Sequence, residues 1–253
     1  MNNIIVRETC AEMRAIARSA LKGNWQVVVI GMFLYYLMTS TIPQLLEQLM
    51  PFAAYSYYYE ALGEVVNISY VSNLYSFVLS GAFAMGLSSF LLAFFRRKDG
   101  NPAHIFNGFE FFVKAFALSL VQGIFIFLWT LLFIVPGIIA AIRYSQAFMI
   151  LADDPKKGVM EVIAESKMVM TGNKSRYFAL LLSFIGWALL AVIPVSFLPV
   201  PSGIFGIAAD LIYAIPYFFF LAYIHVTRTV FYDLATGHLV QREPEFVEED
   251  YHF

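Results

Sequence analysis

The sequence predicts an all-α fold, a polytopic membrane helix bundle of about six transmembrane helices with amphipathic interfacial helices on the cytoplasmic side. Three observations carry that expectation. Of 253 residues, 60% are hydrophobic and 13% charged, at a mean hydropathy of +0.71, whereas a soluble domain carries roughly 25% charged residues. Apolar windows recur that match the roughly 20 helical residues needed to cross about 30 Å of hydrocarbon. Finally, Lys and Arg cluster between alternate windows.

Four windows are plain, at residues 25–42, 75–95, 112–135 and 204–226, and 177–195 makes a fifth, rich in Leu and Phe around Trp187. The remaining stretch, 138–152, is short, about 22 Å of helix. Two topologies follow: 112–152 is either one long kinked helix or a hairpin turned at Pro136-Gly137. Charge separates them. In the hairpin scheme Arg7, Arg14, Arg18 and Lys22 precede the first span, and Arg96, Arg97, Lys98 and Lys114 lie between the second and third. Lys156, Lys157, Lys167, Lys174 and Arg176 lie between the fourth and fifth, and Arg228 and Arg242 follow the sixth. All but Arg143 of the 16 cations then share one side, as expected of a cytoplasmic face. The five-span alternative strands five of them outside. Proline ends a helix and glycine permits the reversal, so the hairpin is preferred.

Residues 1–237 read as a single membrane domain and 238–253 as an acidic cytoplasmic tail. Met13, Ile16, Ala17, Ala20 and Leu21 follow the spacing of one helical face, with Arg14, Arg18 and Lys22 elsewhere. A second surface helix is expected from Asp153-Asp154-Pro155 to about Thr171, with Val159, Val162, Ile163 and Ser166 on one face and Gly172 as its stop. Both surface helices end in Gly-Asn, at Gly23-Asn24 and Gly172-Asn173, before a hydrophobic span. A third surface element spans 101–114, so three units of surface helix plus hairpin are conceivable. The Tyr-rich stretch 51–73 reads as an interfacial aromatic belt. Asn67 opens a short glycosylation-type triplet. No cleaved signal peptide is expected from MNNIIVRETC.

The same pass excludes several function classes. A net charge of −2 gives no basic field for nucleic acid. Cys10 is the only cysteine, which leaves no intramolecular disulfide and no thiolate cluster; a small packed residue is its plain reading. The four histidines are scattered, and no nucleophile elbow, phosphate loop or zinc helix motif is present, so neither a cofactor nor enzymatic catalysis is expected.

Intramembrane polar residues remain. Arg143, by count, lies within the fourth span, where charges are costly and mark either function or a structural pairing. Asp210, near the outer end of the sixth span, is its expected partner by depth. Gln122 in the third span completes the candidate polar site. Pro216 should bend the sixth span, and Ala82 with Gly86, four apart in the second, suit close helix contact.

The stretch IVPGIIAAIRYSQAFMILADDP, the run KMVMTGNK, then LLSFIGWALL, AIPY and FYDLATG resemble an uncharacterised bacterial family of integral membrane proteins, domain of unknown function 975. That family is distantly similar to the membrane domain attached to some glycerophosphodiester phosphodiesterases. The resemblance implies a fold and a bacterial plasma membrane but no activity, since the catalytic barrel of those enzymes has no counterpart here. The expected partners are the lipid bilayer and a membrane protein or a second copy of the chain. The expected role is a scaffold or accessory protein, with transport of a small solute or lipid as the alternative. Transport would require Gln122, Arg143 and Asp210 to line one cavity.

Overall fold

The computed structural model describes residues 4–59, 64–199 and 203–239; most of the predicted acidic tail falls outside them. The architecture is an all-α bundle whose long apolar helices fit a multi-pass membrane protein. Five helical stretches are long and apolar enough to cross a bilayer: Trp25–Leu49, Tyr70–Arg97, Phe112–Leu132, Ile134–Asp153 and Lys174–Ser196. Phe205–Tyr213 and Ile215–Thr236 meet the same test when taken together across a 49° bend, which brings the number to five or six. In chain order the elements are α1 (Cys10–Leu21), α2 (Trp25–Tyr36), α3 (Ile42–Leu49), β1 (Ala54–Tyr59), β2 (Glu64–Ser69) and α4 (Tyr70–Arg97). Then come α5 (Phe112–Leu132), α6 (Ile134–Arg143), α7 (Ala147–Asp153), α8 (Val159–Val169), α9 (Lys174–Leu182), α10 (Ile185–Ser196), α11 (Ile204–Tyr213) and α12 (Ile215–Thr236). The Tyr-rich stretch forms the antiparallel hairpin β1–β2, with Ala54 opposite Ser69 and Tyr59 opposite Glu64.

Proline chemistry explains two departures from straight spans. Between α2 and α3 the helix widens into a π segment, Leu37–Thr41, directly before Pro43. In an i→i−5 frame Pro43, which has no N–H, would have served the Met38 carbonyl. The Tyr75 hydroxyl donates to that carbonyl instead, at 2.9 Å. Pro216 sits in the first turn of α12 and coincides with the bend, as expected; Tyr213, a candidate to satisfy the carbonyl freed there, instead donates to the Pro199 carbonyl at 3.2 Å.

The hairpin of α5 and α6 is formed, but its turn lies earlier than Pro136-Gly137. Phe133 alone is extended, at φ −163° and ψ 156°, and Pro136 lies in the first turn of α6, where a missing N–H costs nothing. Gly137 serves a different purpose from reversal: a Cβ there would collide with Thr130 across the hairpin. The second surface helix also starts later than expected. Asp153 ends α7, the next residues turn, and α8 begins at Val159, where the Glu161 carboxylate accepts from the Gly158 N–H at 3.2 Å.

α4 is the axis of the bundle: 67% of its apolar window is buried, against 11% for α5 and 17% for the α9–α10 span. Its small residues receive a 3-10 segment, Pro102–Phe109, which lies along α4. Cβ atoms on Gly86 or Gly108 would strike the Ile105 and Ala82 carbonyls respectively. The Ala82/Gly86 spacing therefore does mark close approach, with this segment as the partner. The apolar face predicted for α1 is present too, with Met13, Ala17 and Leu21 fully buried, and its cover is α12 and α9. Burying Met13 and Leu21 stabilises that docking by about 1.5–3 kcal/mol each.

Candidate functional site

Of the three polar residues singled out from the sequence, Gln122 and Arg143 stand at one helix break and Asp210 lies elsewhere. Gln122 on α5 donates from Nε2 to the Tyr144 carbonyl at 3.3 Å, tying α5 to the break between α6 and α7. Arg143, the last residue of α6, stands at the same break, where its carbonyl accepts the Ser166 hydroxyl of α8 at 3.0 Å. Lys167 of α8 lies 5.7 Å from the ring centroids of both Phe125 and Tyr144. Arg143 thus shares its level with charged and hydroxylic side chains of the surface helix, which a count of residues along one helix does not reveal. Gln122 Oε1 and Arg143 Nε are both buried and have no hydrogen-bond partner among the described residues.

Asp210 is elsewhere. It lies on α11, which packs on α3 and α12, and it lines a groove with Tyr36, Ser196, Tyr213 and Tyr217. No ion pair joins it to Arg143 among the described residues. Equal depth in two spans fixes no azimuth, and α6 turns toward α9 while α11 does not.

What the structure does assemble is a polar seam at the end of the bundle where α4, α7 and α12 finish. Arg96 of α4 forks between two carboxylates. Its Nη1 and Nη2 donate to Asp153 at 2.6 and 3.2 Å, and its Nε and Nη2 to Asp233 at 3.0 and 2.7 Å. Tyr232 completes the network by donating its hydroxyl to Asp153 Oδ2 at 3.0 Å. Asp233 is closed off, with 3% of its side chain exposed, whereas Arg96 and Asp153 keep about a quarter. Planar guanidinium geometry suits two forked carboxylates, so one side chain fixes the ends of three spans.

Neighbouring charges reinforce that end. Lys114 of α5 donates to the Pro155 and Lys156 carbonyls at 2.6 and 3.3 Å, capping the turn after α7. Lys157 pairs with Glu165 at 2.6 Å. Just past α4, His104 Nε2 meets Asp99 at 2.7 Å while its Nδ1 meets the Asn107 amide at 3.0 Å. The His104 hydrogen bond, aided by the Asn101 N–H, holds the Asp99 carboxyl below its usual range.

In the sequence Arg96 and Arg228 read only as inner-side cations and Asp153 as a helix cap. The signal that finds the seam is periodicity beyond the apolar window: His225, Arg228, Tyr232, Asp233 and Thr236 recur at helical spacing along α12. Among the described residues no group of three His, Cys, Asp or Glu side chains could hold a metal ion.

Set against known proteins, the chain matches the family described as protein of unknown function DUF975 over residues 7–142 and 132–238. No curated protein and no solved structure matches it.

Proposed function

We propose, on the premise that this chain belongs to the DUF975 family, that it is a non-enzymatic scaffold or accessory protein of the bacterial plasma membrane, with its termini and cation-bearing end in the cytoplasm. The observation that carries the reading is the Arg96 fork. It joins the ends of α4, α7 and α12 through five hydrogen bonds to two carboxylates and supports a fixed bundle in preference to a gated path. The cations near that fork support the orientation, since Arg96 forms it and Lys114 holds the turn that directly follows Asp153. The partners of such a protein are lipid and a membrane protein or a second copy of the chain, without nucleic acid. The distant likeness to the membrane domain of glycerophosphodiester phosphodiesterases belongs to the same proposal as kinship of fold, with no activity attached.

One observation favours the competing reading, a transporter or channel for a small solute or lipid. Gln122 Oε1 and Arg143 Nε are buried polar atoms at one helix break with no described partner, and such atoms mark polar pathways in membranes. Single cysteines at Gln122, Arg143 and Asp210 in a Cys10→Ser background, probed with an aqueous thiol reagent in intact cells, separate the two. The scaffold reading expects little labelling at 122 and 143; labelling of all three, protected by a common solute, would overturn it. A tag inserted after Pro155 that is reached from outside intact cells would overturn the orientation.

A further inference from the structure

The geometry points to a binding site for a small monovalent anion inside the bundle, at Arg228 of α12. Arg228 and His225 line a cavity of about 130 Å³ together with Tyr35 of α2, Ser88 of α4 and Ser145 at the α6–α7 break. Arg228 Nε donates to a neutral partner, the Tyr177 hydroxyl, at 2.8 Å. It forms no ion pair among the described residues. The carboxylates at the neighbouring end of the seam, Asp153 and Asp233, are engaged by Arg96 and Tyr232.

Beside the apolar Leu87, Leu91, Phe148 and Met149, the cavity wall carries several donors. The terminal nitrogens of Arg228, the Tyr35 hydroxyl and the His225 ring make no hydrogen bond to described residues. Ser145 accepts the Gln146 amide at 2.9 Å, which leaves its own O–H to donate. The Ser88 O–H is spent on the Ala84 carbonyl at 2.9 Å. No carboxylate lines the space. Arg228 is half-buried and faces this cavity without a counter-charge, and an anion received by the surrounding N–H and O–H groups supplies one. One charge calls for one charge. At about 30 Å³ per water, the space holds about four waters, which admits chloride, bromide, nitrate or bicarbonate and excludes a sugar or nucleotide.

The test uses the full chain purified in detergent in gluconate buffer, with melting followed as chloride, bromide or nitrate replaces gluconate at constant ionic strength. The expected result is a saturable rise in melting temperature that disappears in Arg228→Gln and persists in Arg97→Gln, whose side chain does not line the cavity. A flat response in the parent chain overturns the site. So does a response that survives in Arg228→Gln, which would be a general salt effect. Should Arg228→Gln fail to fold, Tyr35→Phe and Ser145→Ala carry the decision: half-saturation must rise at least threefold in one of them, and unchanged values in both overturn the assignment. The labelling experiment above addresses other positions, so each proposal can fail alone.

Discussion

Two turns in this molecule share a dipeptide and differ in everything built on it. After α1 the chain turns at Gly23-Asn24 and enters α2; after α8 it turns at Gly172-Asn173 and enters α9. The glycines adopt the same left-handed backbone, φ +81° and +79°. Asn24 is exposed and makes no side-chain cap hydrogen bond. Asn173 is fully buried: it accepts the Val6 N–H at 2.9 Å and donates to the Ile4 and Val169 carbonyls, each at 2.8 Å. Its amide thereby pairs with the N-terminal segment as another peptide unit would. The same local code sets both turns, and tertiary surroundings alone make one of them a clamp.

The largest effect should come from removing that clamp. Asn173→Ala leaves the buried Val6 N–H and the Val169 carbonyl unserved, and at ~1–3 kcal/mol for an unsatisfied buried group a loss of about 3 kcal/mol is expected. Asn24→Ala should stay within about 0.5 kcal/mol. Melting in detergent measures both, and proteolysis near Arg7 should accelerate only in the first. Equal melting temperatures would erase the distinction between the turns.

The glycines should separate less widely. Any side chain at either position meets the left-handed penalty of roughly 1–2 kcal/mol. Gly23 faces open space, while a Cβ on Gly172 would lie 2.5 Å from Ile5 Cδ1. Gly172→Ala should therefore cost more than Gly23→Ala, and Ile5→Ala in the Gly172→Ala background should recover the difference. Failure of that recovery would show that Ile5 is not what distinguishes them.

These turns also show how far the sequence was legible. Apolar length located the spans, because crossing hydrocarbon constrains length above all, but it set some ends poorly: the first helical stretch runs on to Leu49 and the last to Thr236. Gly172 was readable as a stop, since few residues adopt its φ. The burial of Asn173 was not, because its partners Ile4 and Val6 lie some 167 residues away and nothing local selects them. The separation of Asp210 from Arg143 was hidden for a related reason. Depth along a helix is countable, so Arg143 and Asp210 were matched by depth, but the side each span turns to its neighbours depends on packing. Asp233 was missed because the apolar window ends at Val226, while the helix itself runs to Thr236.

Helix starts extend the comparison to smaller energies. α1 opens with a reciprocal cap: Thr9 Oγ1 accepts the Glu12 N–H at 3.2 Å, and Glu12 Oε2 accepts the Thr9 N–H at 2.6 Å. Thr9→Ala should cost about 1 kcal/mol in melting experiments. The Thr9 hydrogen bonds, backbone first, hold the Glu12 carboxyl below its ordinary 4.5. A depressed carboxylate contributes stability above the unfolded value that is lost as pH falls through the folded one. The penalty of Thr9→Ala should accordingly shrink below about pH 4.5, and a penalty that grows on acidification would contradict the cap.

α8 has only half of that device. Glu161 accepts the Gly158 N–H at 3.2 Å, as Glu12 does for Thr9, but Gly158 has no side chain to return the bond. Its backbone, φ −75° and ψ 153°, already has the extended geometry of a capping residue, and a Cβ there would meet nothing within 4 Å. Gly158→Ser supplies the missing acceptor without strain, and since serine exceeds glycine at this position by only a few tenths of a kcal/mol, a small rise in melting temperature is expected. Adding Glu161→Gln should leave most of that gain, because the new hydroxyl serves the Glu161 N–H and not the carboxylate. If Gly158→Ser destabilises instead, the turn before α8 is set by contacts other than capping, and the parallel with α1 ends at the glutamate.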